Sequence, residues 1–155
     1  MSLPASTQTG LPIRQLILDA MGAALDAVSG VVHVYRHRES VSAQLDYPSL
    51  RLVDRGDATE RKIQHLHESR LQFEVWAYIQ DYDREERRQD VAQLRAAVEA
   101  ALMADEKWGD KAVQTNLTSA DEHQSEITDP DGFAVVLGEV VYRTELTNPN
   151  IVAEL

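Results

Sequence analysis

The segment LQFEVWAYIQDYDREERRQDVAQLRAAVEAAL, residues 71–102, changes its apolar period from two to 3.6 within about six residues. Leu71, Phe73, Val75, Ala77 and Ile79 alternate with Gln72, Glu74, Trp76, Tyr78 and Gln80. That alternation predicts a half-buried strand of an antiparallel or mixed sheet. After Asp83, with Glu86 three residues on as a capping-box partner, Val91, Leu94, Val98, Ala101 and Leu102 form the apolar stripe of a helix over 83–104. Lys107 suits the negative end of that helix, and Gly109 its stop.

Upstream, Ile13, Leu16, Ile17, Ala20, Met21, Ala24, Leu25 and Val28 recur at helical spacing over 12–29, between Pro12 in the first turn and Gly30 as the stop. VVHVYRHR then alternates Val32 and Val34 against His33, Tyr35 and His37, and YPSLRLVD gives Leu50 and Leu52 the same phase. Pro48 confines that second segment's start to an edge or a strand terminus. Residues 54–69 are polar with few apolar anchors and read as a long connection, either mobile or functional. Downstream, a strand is expected over 111–118 and a polar excursion over 119–131, closed by the Asp-Pro-Asp-Gly turn at 129–132. The β-branched run FAVVLGEVVYRTEL follows, with Val136, Val140 and Tyr142 on one face.

The resulting order, α-β-β-β-α-β-β, is most economically an α+β two-layer domain. Its mostly antiparallel or mixed sheet would carry two helices on one face. The domain would span 11–146, between flexible segments at 1–10 and 147–155. At 155 residues such a domain buries roughly 68–70% of its unfolded surface, so one core suffices.

Composition narrows the chemistry. The chain contains no cysteine, which removes disulfides, thiolate nucleophiles and cysteine-based metal sites and fits a reducing compartment. The N-terminal MSLPASTQTG lacks the basic and apolar regions of a secretory signal, and no segment offers the ~20 apolar residues of a membrane span. A soluble, cytoplasmic protein is expected, for which the Asn116-Leu117-Thr118 glycosylation match is fortuitous. A net charge of −11 repels a phosphate backbone. Arg51, Arg55, Arg61, Lys62 and Arg70 form the nearest thing to a basic patch, but Asp54, Asp57, Glu60 and Glu68 interleave them, so the reading is a mixed, solvated loop.

No G-x-S-x-G elbow, G-x-x-x-x-G-K loop or G-x-G-x-x-G fingerprint occurs. His65 and His67, with His33 and His37, are the candidate metal ligands, against which stand their polar setting and the lack of an H-E-x-x-H pattern. Solvated or strand-face histidines are the plainer reading. Arg84, Arg87 and Arg88, with Glu85 and Glu86, read as a solvated helix start or as a docking surface. Trp76 and Tyr78 lie opposite the expected core face, where they would either meet another subunit or cap a second small core under the long loops. Tyr142 and Arg143 pose the same choice.

The helix ending in Gly30 before VVHVYRHR, then YPSLRLVD, LQFEVWAYIQ, RQDVAQLRAAVEAALMAD and the terminal VVYRTEL together resemble the tail terminator (tail-completion) proteins of long-tailed phages, of the minor tail protein U type. The likeness is one of pattern and order over residues 11–146, without signature residues. It implies a small α+β subunit that forms a hexameric ring on the head-proximal end of the tail tube, stops tube growth and presents a surface to the head connector. It implies no enzyme activity, catalytic residue or cofactor. The partners would be further copies of the chain, the tail tube protein and head-tail connector proteins. DNA would pass through without sequence-specific binding, and an acidic lumen would not retard it. The protein would act in the host cytoplasm during assembly and then in the virion neck. The polar stretches 54–69 and 119–131 would be loops reaching the tube, the lumen or a neighbour. Another neck component, such as a head-tail joining or head-completion adaptor, shares this layout. From a different class comes a metal-dependent enzyme built on His65 and His67.

Overall fold

The computed structural model describes residues 12–36, 46–63, 66–124, 130–145 and 148–153. Helix α1 (Ile13–Asp26) begins where Pro12 O accepts from the amides of Gln15 and Leu16, at 3.0 and 3.1 Å. Ile13, Ile17, Leu18, Met21 and Leu25 form its buried stripe. It closes at Ala27 rather than Gly30; Gly30, at φ +85°, instead turns the chain into strand β1 (His33–Arg36).

Strands β2 (Ser49–Ile63) and β3 (Leu66–Gln80) pair antiparallel as one long hairpin. Most of residues 54–69, expected to be a connection, is therefore sheet. Its polar composition reflects a strand with little apolar surface to cover, held by backbone pairing to β3 rather than by burial. The β2 ladder shifts register between Asp54 and Gly56 and again between Asp57 and Glu60.

Helix α2 (Arg84–Met103) starts as its sequence predicts, with the Asp83 carboxylate accepting from the amides of Glu85 and Glu86 at 3.0 and 3.1 Å. The reciprocal half of the expected capping box is taken over by Asp81, because the Asp83 amide donates to Asp81 Oδ1, at 2.9 Å, and not to Glu86. Beyond the helix, Trp108, Gly109 and Asp110 all take positive φ. This turn buries the Trp108 indole, whose Nε1 donates to Thr115 Oγ1 at 2.8 Å.

Strand β4 (Gln114–Gln124) runs six residues past its expected end at 118, into the stretch read as an excursion. Strand β5 (Asp131–Glu145) pairs with β3 in unbroken antiparallel register from Gln80↔Asp131 to Leu66↔Glu145. The expected loose C-terminal segment is corrected as well, because Asn148–Val152 form strand β6 on β5. Val152 packs against the core, and the Ala153 amide donates to Arg143 O at 3.1 Å.

The sheet order is β1-β2-β3-β5-β4, with β6 on β5 and β1 parallel to β2. Both helices lie on one face, as the α+β two-layer expectation requires. There Leu71, Phe73, Val75 and Ala77 of β3 and Ala134, Val136 and Val140 of β5 join the helix stripes in one core. Gly138 is obligatory in that core, since a Cβ there would stand 2.5 Å from Phe73 Cζ and 2.8 Å from Asn116 O.

Candidate assembly face

Because side chains alternate across a strand, the residues between those core positions emerge on the sheet face that, among the described residues, carries no helix. Register fixes who meets whom there. Tyr78 lies opposite Phe133 and Ser49, and Trp76 opposite Val135 and Arg51. His123 of β4 lies opposite Phe133. The rings line up accordingly. His123 stacks on Phe133 at a centroid distance of 4.9 Å, Phe133 tilts onto Trp76 at 5.5 Å, and Trp76 stacks with Tyr78 at 6.5 Å. Each such pair is worth about 0.5–1.5 kcal/mol beyond area burial. Val135 and Leu137 extend this apolar patch along β5, and all these side chains except exposed His123 are half-buried.

The patch ends in a ladder of ion pairs. Arg55 Nη1 donates to Glu74 Oε1 at 2.8 Å, and the Trp76 indole Nε1 donates to the other Glu74 oxygen at 3.1 Å. Further along, Arg70 Nη1 meets Glu139 Oε1 at 2.6 Å and Arg143 Nε meets Glu68 Oε2 at 2.9 Å. Arg51, Arg55 and Arg70, read as members of a mixed loop, are thus sheet residues, with Arg55 and Arg70 in ion pairs. Tyr78 contacts Arg51, yet burial raises the Tyr78 phenol above its ordinary value and outweighs that arginine.

The seven residues singled out as a subunit surface separate into five places. Trp76 and Tyr78 stand together at the centre of the open face. Arg143 shares that face at its far end, held by Glu68. Arg84 and Arg88 are exposed at the start of α2, in the other layer, where Arg88 pairs with Glu85 at 3.3 Å. Arg87 and Tyr142 do not present their side chains outward. Arg87, 1% exposed, continues the α2 stripe one turn before Val91, and its Nη1 donates to Asp81 O at 3.1 Å. Its stem is tucked against Gly132, where a Cβ would come within 3.1 Å of Arg87 Cγ.

Tyr142, 6% exposed, lies on the helix side and donates its hydroxyl proton to Asp57 Oδ2 at 3.0 Å. Burial first, then the Asp57 charge, hold its phenol well above the ordinary tyrosine value. Arg14 of α1 completes this cluster through Asp54 and Asp57, with Nε 3.2 Å from Asp57 Oδ1. An open cleft of about 600 Å³ adjoins it, lined by Arg14, Arg36 and Leu52 among others. Both arginines are engaged, Arg36 by Asp19 at 3.0 Å, so the cleft offers structural pairing rather than a spare charge.

Of the candidate metal ligands, His37 and His65 lie outside the described residues. His33 packs edge-on against Tyr35 at 4.3 Å. Among the described residues no group of three or more His, Asp or Glu has the arrangement of a metal site. Nor, among them, is any helix long and apolar enough to cross a membrane.

Sequence reading missed Phe133, Val135, Leu137 and His123 as members of the patch. A signal existed for the first three, since a β-branched run apolar on both faces marks a strand whose second face meets something too.

The structure therefore defines an α+β two-layer domain in which one sheet face is covered by helices and the other, among the described residues, is open. No family model matches the chain, and no curated protein does. Among solved structures it is similar to a chain of a virion of a native gene transfer agent particle. The TM-score is 0.41 and the identity 15%, covering 84% of this chain and 91% of that one.

Proposed function

We propose that this chain is a virion structural subunit of a long-tailed phage or prophage. It would assemble as a homo-oligomeric ring that caps the tail tube, ends its polymerisation and offers the head its attachment surface. The observation that carries this reading is the open face itself. A row of stacked rings and two aliphatic side chains lies on the side of the sheet away from both helices, where a lone domain gains little from placing them. The terminator-like order of elements supports the tail assignment in particular, and self-association supplies what covers the rings. Catalysis and cofactors have no part in this role.

Purified protein mixed with unfinished tail tubes and imaged by electron microscopy tests the proposal. Rings at one tube end, with tubes held at fixed length, are expected. Tubes that elongate unchanged and carry no added density at their ends would refute it. Native mass spectrometry of the capped tubes gives the number of copies per ring.

A further inference from the structure

We infer that the open face is closed by helix α2 of a second copy of this chain, packed head to tail, an inference that rests on the self-assembling reading above. Three observations meet here. First, the carboxylates of Glu68, Glu74 and Glu139 on the two central strands are already paired with Arg143, Arg55 and Arg70. Water can leave the neighbouring rings without stranding those charges, whereas a buried unpaired charge would oppose contact. The chain as a whole is at −11, whereas here the three carboxylates are paired and Arg51, opposite Trp76, adds positive charge, so another acidic copy can approach this region with least repulsion. Asp121, exposed on the edge strand opposite Val135, borders the patch.

Second, every exposed residue of α2 from Gln89 to Met103 is uncharged: Gln89, Ala92, Gln93, Ala96, Ala100 and Met103. The charged members of that stretch, Asp90, Arg95 and Glu99, are half-buried, and Arg95 pairs with Glu99 at 3.0 Å. Alanines leave a flat surface that lets a helix backbone come close to ring faces. Third, the helix is long enough. From Ala92 to Met103 it advances about 17 Å, at 1.5 Å per residue. The patch crosses β4, β5 and β3, about 10 Å at the spacing of paired strands, so one helix face spans it.

A helix laid across the patch need not cover the Arg70–Glu139 and Arg143–Glu68 pairs, which lie further along the strands. Moreover, the two contacting surfaces differ, so the contact is heterologous, and heterologous contacts that close make rings.

The chain's lack of cysteine makes the test direct. Full-length Ala96→Cys and Val135→Cys variants are mixed at high concentration and treated with a bismaleimide cross-linker, beside each variant alone. Cross-linked dimer is expected in the mixture and lost from both single samples. Dimer from Val135→Cys alone would mean sheet against sheet, dimer from Ala96→Cys alone would mean helix against helix, and no dimer in the mixture would mean no such contact. Each of these overturns the inference. Ala96→Arg, at an exposed position that leaves the fold intact by circular dichroism, should abolish self-association. Protein that caps tubes without the mixed cross-link would refute this contact and keep the ring. The mixed cross-link without capping would do the reverse.

Discussion

Phe73 and Trp76 are three residues apart on one strand and live under different rules. Phe73 is 1% exposed and wedged against Gly138 beneath the helices, whereas Trp76 is half-buried among rings that no described helix covers. The helix-covered face is completed inside the chain. The open face is ordered by the described strands and, in the role proposed above, is completed by another copy. Stability should therefore be concentrated on the first and association on the second.

Substitutions that alternate between the faces sharpen or break that division. Phe73→Ala should cost most, about 3–5 kcal/mol, read as a lowered urea midpoint. A loss below 1 kcal/mol would mean that the core is not where the stability resides. Tyr142→Phe comes next, at about 1.5–3 kcal/mol for a buried hydrogen bond to a charged acceptor, here Asp57. It carries a pH signature. Since folding raises the Tyr142 phenol, its contribution is complete below the ordinary tyrosine value of 10.0 and fades as pH climbs from there through the folded value. Alkaline unfolding should accordingly be less steep in the phenylalanine variant.

Trp76→Ala should cost the isolated domain about 1 kcal/mol, as befits a half-buried ring. Its larger effect should appear as lost self-association in sedimentation. Wild-type assembly together with a collapsed urea midpoint would reverse the assignment of the two faces. The least effect belongs to Glu86→Gln. Asp81 and Asp83 raise the Glu86 carboxyl, so its ionisation disfavours the fold at neutral pH, and the penalty disappears as pH falls below its unfolded value. The glutamine variant should be slightly more stable at pH 7 and equal to wild type in acid.

Both helices and the alternating strands β3 and β5 were legible, because each has a face that must be buried and periodicity records burial. Arg87 illustrates the limit. It stands in phase with Val91, Leu94, Val98 and Leu102, yet its charge and its place between Glu86 and Arg88 pointed to solvent. The distal hairpin and β6 were hidden for another reason, since backbone pairing holds them with few apolar side chains to announce it. At the candidate face, Trp76 and Tyr78 were visible from alternation alone. Their stacking through Phe133 to His123 depends on β4–β5 register, which no local pattern specifies.

That register also determines where the chain can change length. The β3–β5 ladder runs through fifteen-residue strands without a shift, so one inserted residue would turn everything beyond it inside out, rings into the core and valines into water. In β2 and β4 the ladder already absorbs irregularities, at Asp54–Gly56, Asp57–Glu60 and Leu117–Ser119. Insertions and deletions in variants of this protein should accumulate on those flanking strands and spare the central pair, even where the central side chains themselves are free to vary.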